Sequence, residues 1–503
     1  MEINIGDMVR RRAYLTPNLD CYVGDDYRFT FREINSKINQ LCHYMKSLPI
    51  YPGDRIALLC KNRYQFAVAM FAAAKLGAAA VPLNWRLTAP ELEYILNNSG
   101  TVLLAYDEAF AGTVDQLRST TQLQHFIRIG GSGQDIEFEQ TLADQPDYEP
   151  GMFSGGDDTA IIMYTSGTTG KPKGVMLTHN NFYHSSSAQV HNIKWTYSDR
   201  FLHVAPVFHI GGLSPLISTA LVGSTCVFMA DFDPVKAWQI VVKEKINIGM
   251  TVPVMLAAML KVPDINKMDL SALEHFTCGG SIVPEYLFTE YKKLGITIEN
   301  VYGATECTGA LAYWSAPMDW DKHHSVGKPV FSADMKIVDP ETHQEVPAGQ
   351  RGEILFSGPQ VFNGYWNNPE ATEKAKKDGW YYTGDVGYQD EDGYFFLVDR
   401  VKDMIISGSE NIYPAEIENV IITIPGVADV GVVGKPDEKW GEIPVAFVVK
   451  TPGTDLNEEN IMKTCSENLA KFKLPRQIIF VDILPRNGAG KLLKHEIKKE
   501  FLG

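Results

Sequence analysis

The sequence predicts an α/β protein. A large N-terminal domain of helix-covered parallel or mixed sheets contains a β-rich subdomain and is followed by a small α+β domain. Three observations carry this. Short apolar runs alternate with helical patterns from about residue 50 to 310, the texture turns to Gly- and Asp-punctuated strands from about 310 to 400, and the pattern resets after "LVDRVKDMI".

The first region has strand candidates in "DRIALLC", "AAAVPL", "VLLAY", "AIIMYT", "STCVFMA", "IGMTVP" and "HFTCGG". Strands alternating with helices favour parallel sheets covered on both faces. The apolar stretch "FAVAMFAAAKLGAAAVPL" is interrupted by Lys75 and glycine, and reads as a buried helix feeding a strand rather than a membrane span. The second region offers "VGKPV", "MKIVD", "GEILFSG", "DGWYYTGD" and "EDGYFFLVD". The last hundred or so residues offer helix "PAEIENVIITI", strands "VADVGVVG" and "IPVAFVVK", helix "EENIMKTCSENLAKF" and the closing "QIIFVDILPRNGAGKLLKHEIKKEF", enough for an independent domain. The expected division is 1–400 and 401–503, with the β-rich subdomain at about 310–400.

Composition narrows the function. The 503 residues exceed one ordinary core, 45% hydrophobic with 21% charged residues describes a folded soluble chain, and the cysteine usage suits a reducing cytoplasm. A net charge of -15 repels polyanions, so nucleic acid is excluded as the expected partner. The seven cysteines contain no CxxC pair and suggest neither a disulfide framework nor a zinc site. The opening "MEINIGDMVRRRAYLTPN" lacks the apolar run of a secretory signal.

The chemistry is most visible at "TSGTTGKPKG", Thr165–Gly174, directly behind the apolar run Ile161–Tyr164. Glycines expose backbone N–H groups, hydroxyls add donors, and Lys171 and Lys173 add charge, which together suit phosphate oxygens. It is not a Walker loop. Neither lysine is followed by Ser or Thr, and Pro172 disfavours a helix opening there. A generic stretch of this composition is more often a surface turn; its length and its launch from a strand argue otherwise.

"YTSGTTGKPKGVMLTH" resembles the signature of the adenylate-forming superfamily, which includes acyl- and aryl-CoA synthetases, luciferases and peptide-synthetase adenylation domains. "VYGATE", "YYTGD", "VDRVKDMIISGSENIYPAEIE" and "LPRNGAGKLLK" match its further motifs in order. The overall texture is similar to bacterial fatty-acyl-CoA synthetases. The resemblance implies a two-step reaction using ATP, Mg²⁺ and coenzyme A, in which a carboxylic acid becomes an acyl-adenylate and then a thioester.

It also implies site residues. Thr165, Ser166, Gly167, Thr168, Thr169, Gly170 and Lys173 would cradle the β and γ phosphates. Thr305 would hold the α-phosphate and Glu306 would bind Mg²⁺, a hard cation suited to oxygen ligands. Adenine would sit against Tyr302, Gly303 and the Gly279-Gly280-Ser281 turn. Asp385 would accept both ribose hydroxyls, with Arg400 donating beside it. Lys491 would bridge the carboxylate and α-phosphate during adenylation. Because it lies in the small domain, that role requires a mobile domain, with Lys402 at the hinge and Gly408 lining the coenzyme A tunnel.

The acyl pocket is expected around His209, Gly211, Gly212 and Ala304. His209 stands where amino-acid-activating relatives carry aspartate, so an α-ammonium would lose its counter-ion and amino acids are disfavoured. The surrounding segments otherwise hold no charged cluster, which suits a medium- or long-chain fatty acid or an aryl acid. Three alternatives stand beside this: an aryl-CoA ligase, a non-catalytic ATP-binding protein, and a luciferase-like oxygenase. "KKDG", Lys376–Gly379, also matches the short pattern of lysyl-AMP-forming nucleotidyltransferases but reads as a polar turn. The closing helix reads as packed on its own domain rather than on a membrane, although a fatty substrate invites peripheral contact. Monomer and homodimer are equally compatible with the sequence.

Overall fold

The computed structural model describes residues 3–165, 171–400, 403–407, 410–437, 440–469, 471–486 and 492–502. The chain divides into two compact units, 1–334 with 356–381, and 335–355 with 382–503. The segment expected to be a β-rich subdomain is thus shared between them, and Asp385 and Arg400 fall in the second.

The first unit contains two large sheets. The first runs in the order Lys328–Pro329, Gly309–Trp314, Thr297–Ala304, His275–Gly279, Ile248–Thr251, Arg200–His203, Thr225–Phe228, Asp20–Val23, Arg28–Thr30. Its six strands from Thr297–Ala304 to Asp20–Val23 pair in parallel, and the outer pairings are antiparallel. The second runs Gly364–Tyr365, Lys173–Thr178, Thr159–Thr165, Ala79–Pro82, Arg55–Leu59, Leu103–Asp107, His125–Ile129, Ile136–Glu137. It is parallel except where Lys173–Thr178 joins its neighbours.

Each apolar run read as a strand is one, and the run of alanines and aromatics forms helix Tyr64–Leu76, buried along its whole length. Lys75 does not interrupt it. Its ammonium is fully buried but donates to Asn35, Asn39 and Glu149 at 3.0, 2.6 and 2.8 Å, and three polar partners offset the cost of removing the charge from water. The N-terminal helices Ile5–Leu15 and Phe31–Ser47 were not legible as strands or motifs; the second starts on a capping box between Thr30 and Glu33.

The second unit takes most of a small sheet ordered Asp334–Val338, Gly352–Ser357, Trp380–Gln389, with Phe395–Arg400 antiparallel to the last. Its other sheet is ordered Glu410–Ile412, Ile405–Ser407, Gly441–Lys450, Val427–Asp437, and Gln477–Val481 pairs in parallel with Gly441–Lys450. Period-two alternation sorts the side chains of the long hairpin. Val430, Val432, Ala446 and Val448 pack with Ile417, Ile421, Ile461 and Cys465 on one face. Val433, Val445 and Phe447 face Ile497, Phe501 and Leu502 on the other. The closing helix Lys494–Phe501 therefore spends its apolar side on its own domain. No helix among the described residues is long and apolar enough to cross a membrane.

Candidate functional site

Four neighbouring strands of the first sheet place loops at one edge. Arg200–His203, Ile248–Thr251, His275–Gly279 and Thr297–Ala304 are adjacent and parallel, so the segments following their carboxyl ends converge. These segments carry His209, Val252, Gly279 to Ser281, and Thr305 with Glu306. Sequence separation of about a hundred residues is erased by sheet order.

Thr305–Cys307 form one turn of 3-10 helix, ended by Thr308 at φ 56°. A second loop braces this turn. Phe362 N donates to the Glu306 carbonyl at 2.8 Å, Thr308 Oγ1 to the Gln360 carbonyl at 2.7 Å, and Asn181 Nδ2 to the Pro359 and Val361 carbonyls at 2.9 and 3.1 Å. The Tyr365 hydroxyl donates to Glu306 Oε1 at 2.9 Å, and no described residue donates to Oε2. An unengaged carboxylate oxygen on a braced turn suits a hard cation completed by phosphate oxygens. No cluster of three or more His, Cys, Asp or Glu side chains that could cage a metal occurs among the described residues.

The glycines divide by reason. A Cβ on Gly279 would lie 2.3 Å from the Val301 carbonyl oxygen, and one on Gly303 equally close to that of Gly309, so both positions demand glycine for strand contact. Gly280 has φ 81°, and a Cβ there would meet only Val252 Cγ1 at 3.7 Å, so its need for glycine is conformational rather than steric. Ser281 is exposed, and Tyr302 is buried within its strand with Ala304 half-buried at the end.

The glycine-rich loop connects strands Thr159–Thr165 and Lys173–Thr178, which pair antiparallel with Thr165 opposite Lys173. A strand follows this loop where a Walker loop has a helix. The Lys173 ammonium lies 5.0 Å from the Tyr365 ring centroid. Ser166, Gly167, Thr168, Thr169, Gly170, Lys402, Gly408 and Lys491 lie outside the described residues.

His209 caps helix Ile210–Val222 from outside it, with its ring 4.6 Å from that of Phe208. Its Nε2 is buried without a hydrogen-bond partner among the described residues. Burial, with the nearby Arg86 charge, lowers its pKa to about 4, so the ring is neutral at pH 7. Asn62 fixes the approach to it. Its Nδ2 donates to the Ala205 carbonyl at 3.0 Å and its Oδ1 accepts from Val207 N at 3.1 Å, while His203 Nε2 contacts the Gly212 carbonyl at 2.9 Å. Gly212 is small for packing, since its Cβ would meet the Pro206 oxygen at 2.3 Å, whereas a Cβ on Gly211 meets only Met250 Cε at 3.5 Å. Trp85 and Phe110 continue an aromatic wall from Phe208, at centroid separations of 5.8 and 6.0 Å along the series.

In the second unit Asp385 is buried in strand Trp380–Gln389 directly opposite Arg400. Gly384 before it has φ 69°, and Thr383 Oγ1 ties the turn to the Ile354 carbonyl at 2.7 Å. Lys376, the lysine of "KKDG", donates to the Phe362 carbonyl at 2.7 Å, and Asp378 and Gly379 have φ 51° and 80°. Two left-handed residues between Lys377 and its partner Trp380 make the segment a tight hairpin turn, as the Asp-Gly pair favours.

Residues 9–366 match the profile of the AMP-binding enzyme family and residues 416–491 that of the AMP-binding enzyme C-terminal domain. The chain belongs to the AMP-binding enzyme family. It is 38% identical over 502 residues to the long-chain-fatty-acid–CoA ligase FadD13 of Mycobacterium tuberculosis, covering 99% of this chain and 98% of that one. Feruloyl-CoA synthase of Amycolatopsis is 36% identical over 498 residues, covering 99% of each. The o-succinylbenzoate CoA synthetase MenE of Bacillus subtilis, solved with ATP and magnesium ion, superposes with a TM-score of 0.88 at 32% identity, covering 98% of this chain and 99% of that one.

This AMP-binding enzyme is an ATP-dependent, adenylate-forming acyl-CoA ligase. Sequence reading overlooked Tyr365 and Phe362, which surround Glu306. Their only signal is an aromatic-rich "VFNGYW" within a turn-rich segment, and a two-residue strand has no periodicity to detect.

Proposed function

We propose that the enzyme activates a medium- or long-chain fatty acid by adenylation and transfers the acyl group to coenzyme A. A carboxylate oxygen attacks the α-phosphorus of ATP, the bond to the β-phosphate oxygen breaks, and pyrophosphate leaves. The sulfur of coenzyme A then attacks the acyl carbon, the bond to AMP breaks, and the thiol proton is released.

The observation that carries the substrate reading is the neutral, half-buried His209, its Nε2 without a partner among the described residues, in an aromatic wall beside a Gly211 whose added Cβ would meet only Met250 Cε. That environment offers no partner for an ammonium and favours an apolar tail. The similarity to a fatty-acid ligase supports it. An aryl acid is the second reading, favoured by the same aromatic wall and by the similarity to feruloyl-CoA synthase.

In the adenylation step, Thr165 to Gly170 and Lys173 would hold the β and γ phosphates, and Thr305 the α-phosphate. Glu306 would hold Mg²⁺, which when bound neutralises charge on the phosphates. Tyr302, Gly303 and Gly279 to Ser281 would receive adenine, and Asp385 with Arg400 the ribose. Lys491 would neutralise charge where the carboxylate meets the α-phosphate. A hinge at Lys402 would then exchange Lys491 for the segment around Gly408 in thioester formation, with 1–400 and 401–503 as the moving parts. Peripheral membrane contact belongs to this fatty-acid reading only.

The test is pyrophosphate release with ATP, Mg²⁺ and coenzyme A across straight-chain acids from about C2 to C18 and aromatic acids. Highest kcat/KM among medium and long chains is expected. A clear preference for cinnamate- or benzoate-type acids would replace the fatty-acid reading with the aryl one.

A further inference from the structure

Tyr365 touches both charged groups assigned above to phosphate and metal. Its hydroxyl donates to Glu306 Oε1 at 2.9 Å, and its ring lies 5.0 Å from the Lys173 ammonium. The sheet sets this up. Strand Gly364–Tyr365 runs antiparallel to Lys173–Thr178 with Tyr365 opposite Val175, so Lys173, two residues away on the same face, is its diagonal neighbour.

Several contacts fix the phenol itself. Tyr365 N donates to Thr372 Oγ1 at 2.9 Å, and the ring packs against Phe362 at 4.9 Å. Phe362 in turn bonds the Glu306 carbonyl through its N–H and receives Lys376 at its own carbonyl. A phenol carries its O–H proton at neutral pH and so can donate to a carboxylate oxygen. One carboxylate oxygen is thereby engaged, while no described residue donates to the other.

We infer that Tyr365 is a positioning residue that holds the Glu306 carboxylate and the Lys173 ammonium in fixed relation, presenting a metal-binding oxygen and a phosphate-binding cation together. The inference rests on the proposed assignment of Glu306 to the metal and Lys173 to phosphate. A purely structural tyrosine would fill the same space but would not alter metal affinity when only its oxygen is removed.

The test uses the full-length enzyme with α,β-methylene-ATP and Mn²⁺, following Mn²⁺ binding by electron paramagnetic resonance and folding by thermal melting. Tyr365→Phe keeps the ring and removes the hydroxyl. It is expected to weaken Mn²⁺ binding about tenfold, as loss of an outer hydrogen bond to a metal ligand does, with the melting temperature unchanged and nucleotide affinity in EDTA preserved. Tyr365→Leu, which also removes the ring beside Lys173, should weaken nucleotide binding in EDTA as well. Glu306→Gln separates the two levels of the argument. If it abolishes Mn²⁺ binding while Tyr365→Phe binds as wild type, the role of Tyr365 is overturned alone. If Glu306→Gln binds Mn²⁺ normally, the metal assignment and the inference fall together. A Tyr365→Phe enzyme that melts lower and binds Mn²⁺ normally shows a structural role and overturns the inference.

Discussion

Thr165 and Lys173 face each other across an antiparallel hairpin, and the glycine-rich segment is the loop that closes it. In the proposed phosphate-binding role this segment would have no following helix to lend its dipole, because strand Lys173–Thr178 comes next. Its positive charge must come from side chains.

Lys173→Met should therefore lower kcat/KM for pyrophosphate release by about 100-fold, the usual scale for removing one preorganised donor at a developing charge. The hairpin itself should survive, so the melting temperature serves as the control. Retention of wild-type kcat/KM would remove Lys173 from the phosphate site.

Lys491→Ala should divide the two half-reactions. Acyl-adenylate formation from acid and ATP should drop by at least about 100-fold, while supplied acyl-AMP and coenzyme A still give thioester. Equal loss in both steps would contradict a role confined to adenylation.

Gly212→Ala and Gly211→Ala should behave oppositely despite being neighbours. The first forces a Cβ to 2.3 Å from the Pro206 oxygen, and should cost about 1–3 kcal/mol measured by chemical denaturation. The second meets only Met250 Cε at 3.5 Å and should fold normally. In the acyl-pocket reading it shifts preference toward shorter acids, and an unchanged chain-length profile would move the pocket elsewhere.

Desolvated histidines give the fold an acid limit. Desolvation lowers His179, His203, His209 and His275 from 6.5 to about 4. Between those values the unfolded chain binds more protons than the folded one, so stability is lost as pH falls from 6.5 toward 4. Glu299, 3.6 Å from His275, has the opposite sign, since burial raises its pKa to about 7 and the folded chain binds the extra proton. Its contribution is lost as pH rises from 4.5 through 7. Glu299→Gln should thus melt above wild type at pH 8, with the gap narrowing toward pH 5. A gap that widens on acidification would contradict the sign.

Lys376 should carry no AMP after exposure to ATP, as judged by intact-protein and peptide mass spectrometry. Its ammonium is committed to the Phe362 carbonyl in a hairpin turn. A stoichiometric adduct on it would point to covalent nucleotidyl transfer instead.

The legible part of this protein was local. Strands such as Ile248–Thr251 and His275–Gly279 announce themselves because a buried parallel strand must be a short apolar run, and helix Tyr64–Leu76 because a helix buried all round must be apolar all round. The family motifs were legible because glycine, hydroxyl and lysine residues at close spacing form a distinctive local pattern, as in Thr165–Gly174. The net charge of -15 also made a polyanion an unfavourable partner. What the sequence could not state was which distant segments share an edge. Sheet order, set by nonlocal hydrogen bonding and burial, placed the segments holding His209, Gly280 and Glu306 after neighbouring strands. Only tertiary packing separated glycines needed for close approach, such as Gly212, from Gly211 with space around it. It also showed Lys75 neutralised by Glu149 and Tyr365 seated between Glu306 and Lys173. Local pattern follows from each residue's own solvation and backbone preference, whereas such contacts depend on which segments the folded chain brings within a few ångströms.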